Sequence, residues 1–244
     1  MKIGYTLSSE EHPPRRLVDL AADAEAAGFQ FLTISDHFHP WVSRQGQSAF
    51  VWSTIGGVAC STERIPLAVG VTCPILRIHP AVVAHAAATA AAMMPGRFSL
   101  GVGTGERLNE HVLGQRWPAI EERREMLEEA IEVMRRLWTG DSVDHRGEHF
   151  TVENARLHTC PETPPPVVVS AFGPTSAEMA GRVGDGLWST APSEELVEAF
   201  ERGGGDGPRY GQITMCWAED EAAARRTALE YWPNSAIPGQ LASE

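Results

Sequence analysis

FLTISDHFHPW (Phe31–Trp41), LAVGVTCP (Leu67–Pro74) and FSLGVGTGERLNE (Phe98–Glu110) each run from apolar, strand-forming residues into a short polar or glycine-rich loop. In a parallel β/α barrel all such loops open at one face, at the carboxyl ends of the strands, and that face carries the function. Asp36, His37, Trp41, Thr104, Glu106 and Asn109, scattered along the chain, are therefore expected to share one pocket.

Outward from these segments, strand and helix signals alternate. Strands are predicted at Lys2–Leu7, Phe29–Ser35, Ile65–Thr72, Arg97–Gly103, Pro164–Phe172, Gly186–Thr190 and Gln212–Trp217. Helices are predicted at Pro13–Ala27, Ser48–Ser61, Pro80–Met94, Ile120–Trp138, Thr175–Val183, Ser193–Arg202 and Glu219–Tyr231. The first helix puts Leu17, Leu20, Ala21, Ala24 and Ala27 on one face, begins with prolines and stops at Gly28, as helix-boundary chemistry requires. The fourth has a Leu127, Ile131, Met134, Trp138 stripe, with Arg135 and Arg136 in a last turn that favours cations. Asp144–Leu157 reads as a β-hairpin outside the alternation. Strict βα order implies parallel strands and right-handed crossovers. The expected fold is an α/β TIM-like (β/α)8 barrel, one domain over residues 1–244, with an insertion after helix four. Seven strands are found where closure takes eight, so the last βα unit is missing, the sheet is open, or one short strand carries no clear signal; the first is the expectation.

Composition narrows the partners. A 43% hydrophobic fraction is enough for a core, and a formal net charge of −12 argues against nucleic acid or an anionic membrane, which require a basic face. The four cysteines form no CxxC pair, which suits a reduced, cytoplasmic setting. The opening MKIGYTL has no signal-peptide core, and no apolar run reaches transmembrane length.

His37 can exchange a proton near neutral pH. Adjacent strand residues point opposite ways, so Asp36 need not be its partner, and a plain turn is an equal reading. His37-x-His39 invites a metal, but the later strand ends, Ser170-Ala171-Phe172 and Ser189-Thr190-Ala191, supply no further ligand, and no metal is expected. Gly101-Val102-Gly103-Thr104-Gly105-Glu106 lacks the third glycine of a dinucleotide fingerprint and is followed by helix where an acidic strand end should stand. It remains a glycine-rich loop able to approach a ligand closely. Glu106 is either a proton-transfer group in a desolvating pocket or a carboxylate complementing a helix N-terminus. Gly70 marks a bulge or close approach. Cys73 has no neighbouring base and reads as pocket lining. Arg77 and His79 either meet an anion or are solvated. Phe172-Gly173-Pro174-Thr175-Ser176 opens a helix and is an anion site or a structural turn.

Taken together, SDHFHPW (Ser35–Trp41), TCPILRIHPAVVAHA (Thr72–Ala86), PGRFSLGVGTGERLNE (Pro95–Glu110) and AGRVGDGLW (Ala180–Trp188) resemble the luciferase-like flavin/deazaflavin oxidoreductases. The likeness is to the branch of glucose-6-phosphate dehydrogenases that use the deazaflavin coenzyme F420. The resemblance implies a cytoplasmic, homodimeric enzyme that moves a hydride between F420 and a small organic alcohol or carbonyl. It implies Asp36 at the deazaflavin, His37 as acid/base or stabiliser of the anionic coenzyme, Glu106 as the second proton-transfer group and Trp41 at the reacting substrate. Gly70 and Val71 would form a bulge with a non-prolyl cis peptide. Cys73, Thr104, Gly105 and Asn109 would line the cofactor site, and Phe172, Gly173 and Ser176 would meet its phosphate. Thr190 matches a substrate-binding threonine, whereas Ser193 stands where the sugar-phosphate enzymes carry a phosphate-binding lysine, so the substrate is not necessarily glucose 6-phosphate. A monooxygenase dependent on flavin mononucleotide (FMN), or a barrel that binds a flavin without catalysis, are the alternatives.

Overall fold

Short apolar runs bounded by glycine and proline build the sheet, and alanine- and leucine-faced helices cover it. The computed structural model describes residues 1–233. Strands β1 (Tyr5–Leu7), β2 (Leu32–Ile34), β3 (Leu67–Val69) and β4 (Phe98–Val102) come first. They alternate with helices α1 (Pro14–Ala26), α2 (Val51–Ser61) and α3 (Pro80–Met93). After β4 come a one-turn helix α4 (Arg107–Glu110) and the long helix α5 (Ile120–Leu137). An antiparallel hairpin, β5 (Val143–Arg146) and β6 (Thr151–Ala155), follows. The alternation resumes with β7 (Val167–Ser170), α6 (Pro174–Val183), β8 (Gly186–Ser189), α7 (Glu194–Arg202), β9 (Arg209–Gly211) and α8 (Glu221–Tyr231).

Seven strands form one parallel sheet in the order β1-β2-β3-β4-β7-β8-β9. Its outward residues, among them Leu7, Leu32, Ile34, Leu67, Val69, Leu100, Val167 and Val169, are buried against the helices. Its inward residues Ala68, Val168 and Trp188 form a second cluster with Val71 and Tyr210. Trp188 stacks on Tyr210 at 5.5 Å, and Tyr210 meets the edge of Phe31, which precedes β2, at 5.7 Å. The contact between Phe31, at the entry to β2, and Tyr210 of β9 crosses the interior and shows that the sheet is curled as in a barrel.

The hairpin is the insertion expected after Ile120–Trp138. The Glu129 carboxylate on α5 accepts the His149 and Phe150 amides at 3.0 and 2.9 Å and lies 2.9 Å from His145 Nε2. Trp138 closes the α5 stripe and donates from Nε1 to the Ala84 carbonyl of α3 at 2.9 Å.

Two features differ from the sequence expectation. The seventh strand of the sheet is Arg209–Gly211, which pairs with Leu187–Ser189. The predicted strand at Gln212–Trp217 is irregular and mostly exposed. Its apolar alternation resembles a strand, but β8 ends at Ser189 and offers no further ladder. Helix α4 was not foreseen, because four residues carry no periodicity.

The curl demands a bare backbone at Gly101, where a Cβ would land on the Val69 carbonyl oxygen of the neighbouring strand. Backbone cannot yield as a side-chain tip does. Gly101→Ala is expected to cost about 3 kcal/mol of stability, read as a lowered urea midpoint with an unchanged slope.

Candidate active site

The carboxyl ends of β1 to β4 converge on one charged cluster. Ser8–Glu10 leave β1, and the Glu10 side chain, 2% exposed, sits with Oε1 2.7 Å from His37 Nδ1 at the end of β2. The Ser8 and Ser35 hydroxyls each donate to Glu10 Oε2 at 2.9 Å. The Ser9 amide and hydroxyl bind Ser35 in turn, at 3.0 Å to Oγ and 2.8 Å to the carbonyl. The Trp41 ring stands edge-on to the His37 ring at 4.8 Å.

Burial by itself would lower the pKa of His37. Attraction to Glu10, aided by Glu106 and Asp36, outweighs it and raises His37 to about 9. Burial opposes ionisation of Glu10 as well, and the same pairing with His37 brings its carboxyl down to about 2. The imidazole is a cation at neutral pH. Glu10 occupies Nδ1, so the proton His37 can present to a ligand is on Nε2.

Asp36 serves a different partner. Thr72 donates from Oγ1 to Asp36 Oδ2, and Arg77 donates from a terminal nitrogen to Asp36 Oδ1 at 2.9 Å. Arg77 also meets Glu110 through its backbone amide at 2.8 Å and through Nε at 3.4 Å. All three charged side chains are nearly inaccessible. Burial pushes the Glu110 carboxyl above its ordinary value in spite of the Arg77 bonds.

Asn109, beside Glu110 on α4, accepts the amides of Phe38 and His39 at 2.8 and 3.0 Å through Oδ1. Its Nδ2 is buried without a partner among the described residues. The Gly70–Val71 peptide is cis, and a Cβ at Gly70 would stand 2.7 Å from the Trp188 ring. Gly105 has φ +74°, which favours glycine, and a Cβ there would stand 2.6 Å from Cys73 Sγ. Burial pushes the Cys73 thiol well up, which removes any nucleophilic character. Thr104 and Glu106 are half-buried beside it.

Thus His37, Trp41, Asp36, Gly70, Val71, Cys73, Gly105 and Asn109 are brought together, with Glu106 acting on His37 through its charge. Phe172, Gly173 and Ser176 lie at the end of β7, where Ser176 Oγ accepts from Arg124 Nε at 3.0 Å. Thr190 is exposed after β8. His39 turns away from His37 and stacks on His111 at 5.8 Å. Sequence reasoning passed over Glu10, Thr72 and Glu110 as functional groups and left Arg77 undecided. Their available signal was position, a polar residue within a few places of a strand's carboxyl end.

A curled parallel α/β sheet with a charged cluster at its strand ends defines the barrel-type α/β proteins whose function is grafted on the βα loops. Residues 1–243 match the model of the luciferase-like monooxygenase family, and the chain belongs to that family. It is 42% identical to an F420-dependent hydroxymycolic acid dehydrogenase of Mycobacterium tuberculosis, over 94% of this chain and 66% of that one. It is 39% identical to an F420-dependent glucose-6-phosphate dehydrogenase of Mycolicibacterium fortuitum, over 98% and 76%. The structure of an F420-dependent secondary alcohol dehydrogenase in complex with an F420-acetone adduct superposes with a TM-score of 0.92 at 35% identity, covering 98% of this chain and 76% of that one. The chain therefore spans about two thirds to three quarters of the length of these relatives.

The Glu10–His37 pair has a defined pH window. His37 is raised from 6.5 to about 9 and Glu10 lowered from 4.5 to about 2. Its stabilisation is complete between those two ordinary values and is lost as pH rises through about 9 or falls through about 2. Glu10→Gln should return His37 toward its ordinary pKa in an NMR titration. Urea denaturation at neutral pH should show a loss on the order of 2 kcal/mol, moderated because histidine can neutralise, and little difference from wild type at the alkaline end.

Proposed function

We propose that this chain is an F420-dependent oxidoreductase that interconverts a small alcohol and its carbonyl compound. The observation that carries the reading is the buried Glu10–His37 pair with Trp41 against it, facing the Glu106 loop, in a chain similar to several F420-dependent dehydrogenases.

The residues present suit a deazaflavin. Asn109 Nδ2 is a buried donor lacking a partner, matched to a carbonyl oxygen of the ring, and a buried donor of this kind calls for an acceptor. Gly105, Thr104 and Cys73 would lie along the ring, with the Gly70–Val71 peptide behind it. Phe172, Gly173 and Ser176, with Arg124 at the Ser176 hydroxyl, would hold the phosphate. Asp36 would act near the ring while anchored by Thr72 and Arg77. F420, when bound, supplies one ring carbon that gives or takes a hydride.

The chain's own part is positioning and management of one proton. Alcohol oxidation releases a hydride and a proton. The Glu10 carboxylate 2.7 Å from Nδ1 favours the protonated form of His37, which suits the histidine to donate rather than to abstract a proton. It presents a fixed positive charge and an Nε2–H donor to negative charge that develops in the site. The Glu106 carboxylate is the acceptor for the alcohol proton. Trp41 walls the reacting groups from water beside His37, and Thr190 would contact the substrate. Ser193 spends its hydroxyl on the Leu196 amide at 3.3 Å, capping α7. It offers no cation, and the substrate is accordingly not tied to a phosphate ester. Four free cysteines and a net charge of −12 fit a reduced cytoplasmic setting and a small-molecule substrate.

Titration of the purified chain with F420 and with FMN, followed by absorbance and fluorescence, separates the deazaflavin reading from the flavin one, and saturable binding of F420 alone is expected. His37→Ala and Glu106→Ala should each lower turnover of a secondary alcohol by about 10²–10⁴-fold while F420 still binds. Undiminished turnover in both variants would remove these two residues from the chemistry.

A further inference from the structure

The Glu106 carboxylate is not spent on the helix it opens. Glu106 is the N-cap of α4, and its side chain makes no capping bond there. It is half-buried beside Gly105, where an added Cβ would stand 2.6 Å from Cys73 Sγ. At the far end of the connection between β4 and α5, in the first turn of α5, Arg123 is held by uncharged partners. Its guanidinium lies over the Trp117 ring at 4.1 Å, and Nη1 donates to the Pro118 carbonyl at 2.8 Å. These contacts orient the cation without neutralising it. Nε is buried with no partner among the described residues, so that edge of the charge is shielded from water. The neighbouring arginines differ: Arg116 meets Glu122 at 2.6 Å and Arg124 meets Glu121 at 3.9 Å.

We infer that Arg123 is a positioning residue, the fixed counter-charge that holds Glu106 as a carboxylate facing the pocket. This role rests on the reading of Glu106 as acceptor of the alcohol proton, since a base must be ionised before it can act. Burial works against the Arg123 cation, while Cys73, Glu106 and Glu121 favour it and Arg124 opposes it. Of these groups, Cys73 is a thiol that burial keeps neutral, and Glu121 is exposed and already meets Arg124. Glu106 is therefore the carboxylate that Arg123 serves on the pocket side. His37, at the end of β2, attracts Glu106 from the opposite direction. Asp36 and Glu110 are engaged by Arg77 and do not compete for Arg123. The attraction between Arg123 and Glu106 acts through charge and not through a hydrogen bond. Poor screening beside a buried edge lengthens its reach, and the carboxylate oxygens stay free for a ligand.

The experiment reads the carboxylate itself in the free chain, so it does not depend on bound F420. The Glu106 side-chain carboxyl is titrated by heteronuclear NMR and assigned by its loss in Glu106→Gln. Removing a cation disfavours the charged form, so Arg123→Met should move the Glu106 titration upward by at least about half a pH unit. Arg123→Lys keeps the charge and should restore most of that shift, which a role in packing alone would not do. Arg123→Gln retains a donor for the Pro118 carbonyl and serves the same comparison should the methionine variant lose its far-ultraviolet circular dichroism. An unmoved Glu106 titration in the uncharged variants overturns the assignment, as does a shift in Arg123→Lys equal to that in Arg123→Met. In turnover of a secondary alcohol with F420, the acidic limb of kcat/KM should follow the same order of variants. A moved titration with an unmoved limb upholds the pairing of Arg123 with Glu106 and removes Glu106 as the proton acceptor.

Discussion

One guanidinium ties three loops together. Arg77, from the loop after β3, bonds Asp36 at the end of β2 and Glu110 on α4 after β4. Two carboxylates and one cation out of water are costly unless each charge is met. Thr72 takes the second oxygen of Asp36, and burial, with a smaller push from Asp36, raises the Glu110 carboxyl in spite of its bonds to Arg77. Because Asn109 and Glu110 are neighbours on one turn of helix, the arginine clamp also fixes the backbone that carries His37 through the Phe38 and His39 amides. Short strands alone would not define these loops to this degree.

The charge pattern explains why two adjacent residues, Asp36 and His37, have separate duties. The peptide unit sends them in opposite directions, so Asp36 joins the Arg77 clamp and His37 needs another counter-ion. Glu10 supplies it from the first strand, itself held by two serine hydroxyls. The result is an ion pair in which the Glu10 carboxylate raises His37 to about 9. Of the two roles open to such a histidine, base or positive donor, the proposed donor role is the one this pairing supports.

Much of the framework was legible in the sequence because it rests on periodic apolar patterns and on glycine and proline punctuation. Leu127, Ile131, Met134 and Trp138 form a buried stripe, and the hairpin stands where the alternation breaks. His37 and Glu106 could be singled out because strand-end position and titratable chemistry coincide there. Glu10 could not. Its importance depends on a contact with a residue on another strand, and a local run of Ser-Ser-Glu-Glu-His looks like any solvated loop. The strand at Gln212–Trp217 shows the converse limit. Alternation reports a face suited to burial, whereas a ladder also requires a neighbouring edge, and among the described residues only Arg209–Gly211 has one.

The site is correspondingly uneven. At the ends of β1 to β4 the side chains are cross-bonded between loops and almost fully buried, which fixes their geometry. Around β8 and β9 the end residues are tied locally, Ser189 to the Ala191 amide and Ser193 to Leu196, while Thr190 and the segment after β9 stand in solvent. Electrostatic preorganisation is therefore strong at the ends of β1 to β4 and sparse around β8 and β9. In a barrel, loops at the carboxyl ends of neighbouring strands shape one another, and among the described residues β9 has β8 alone as a ladder partner, so the loops after β8 and β9 are held mainly by local bonds.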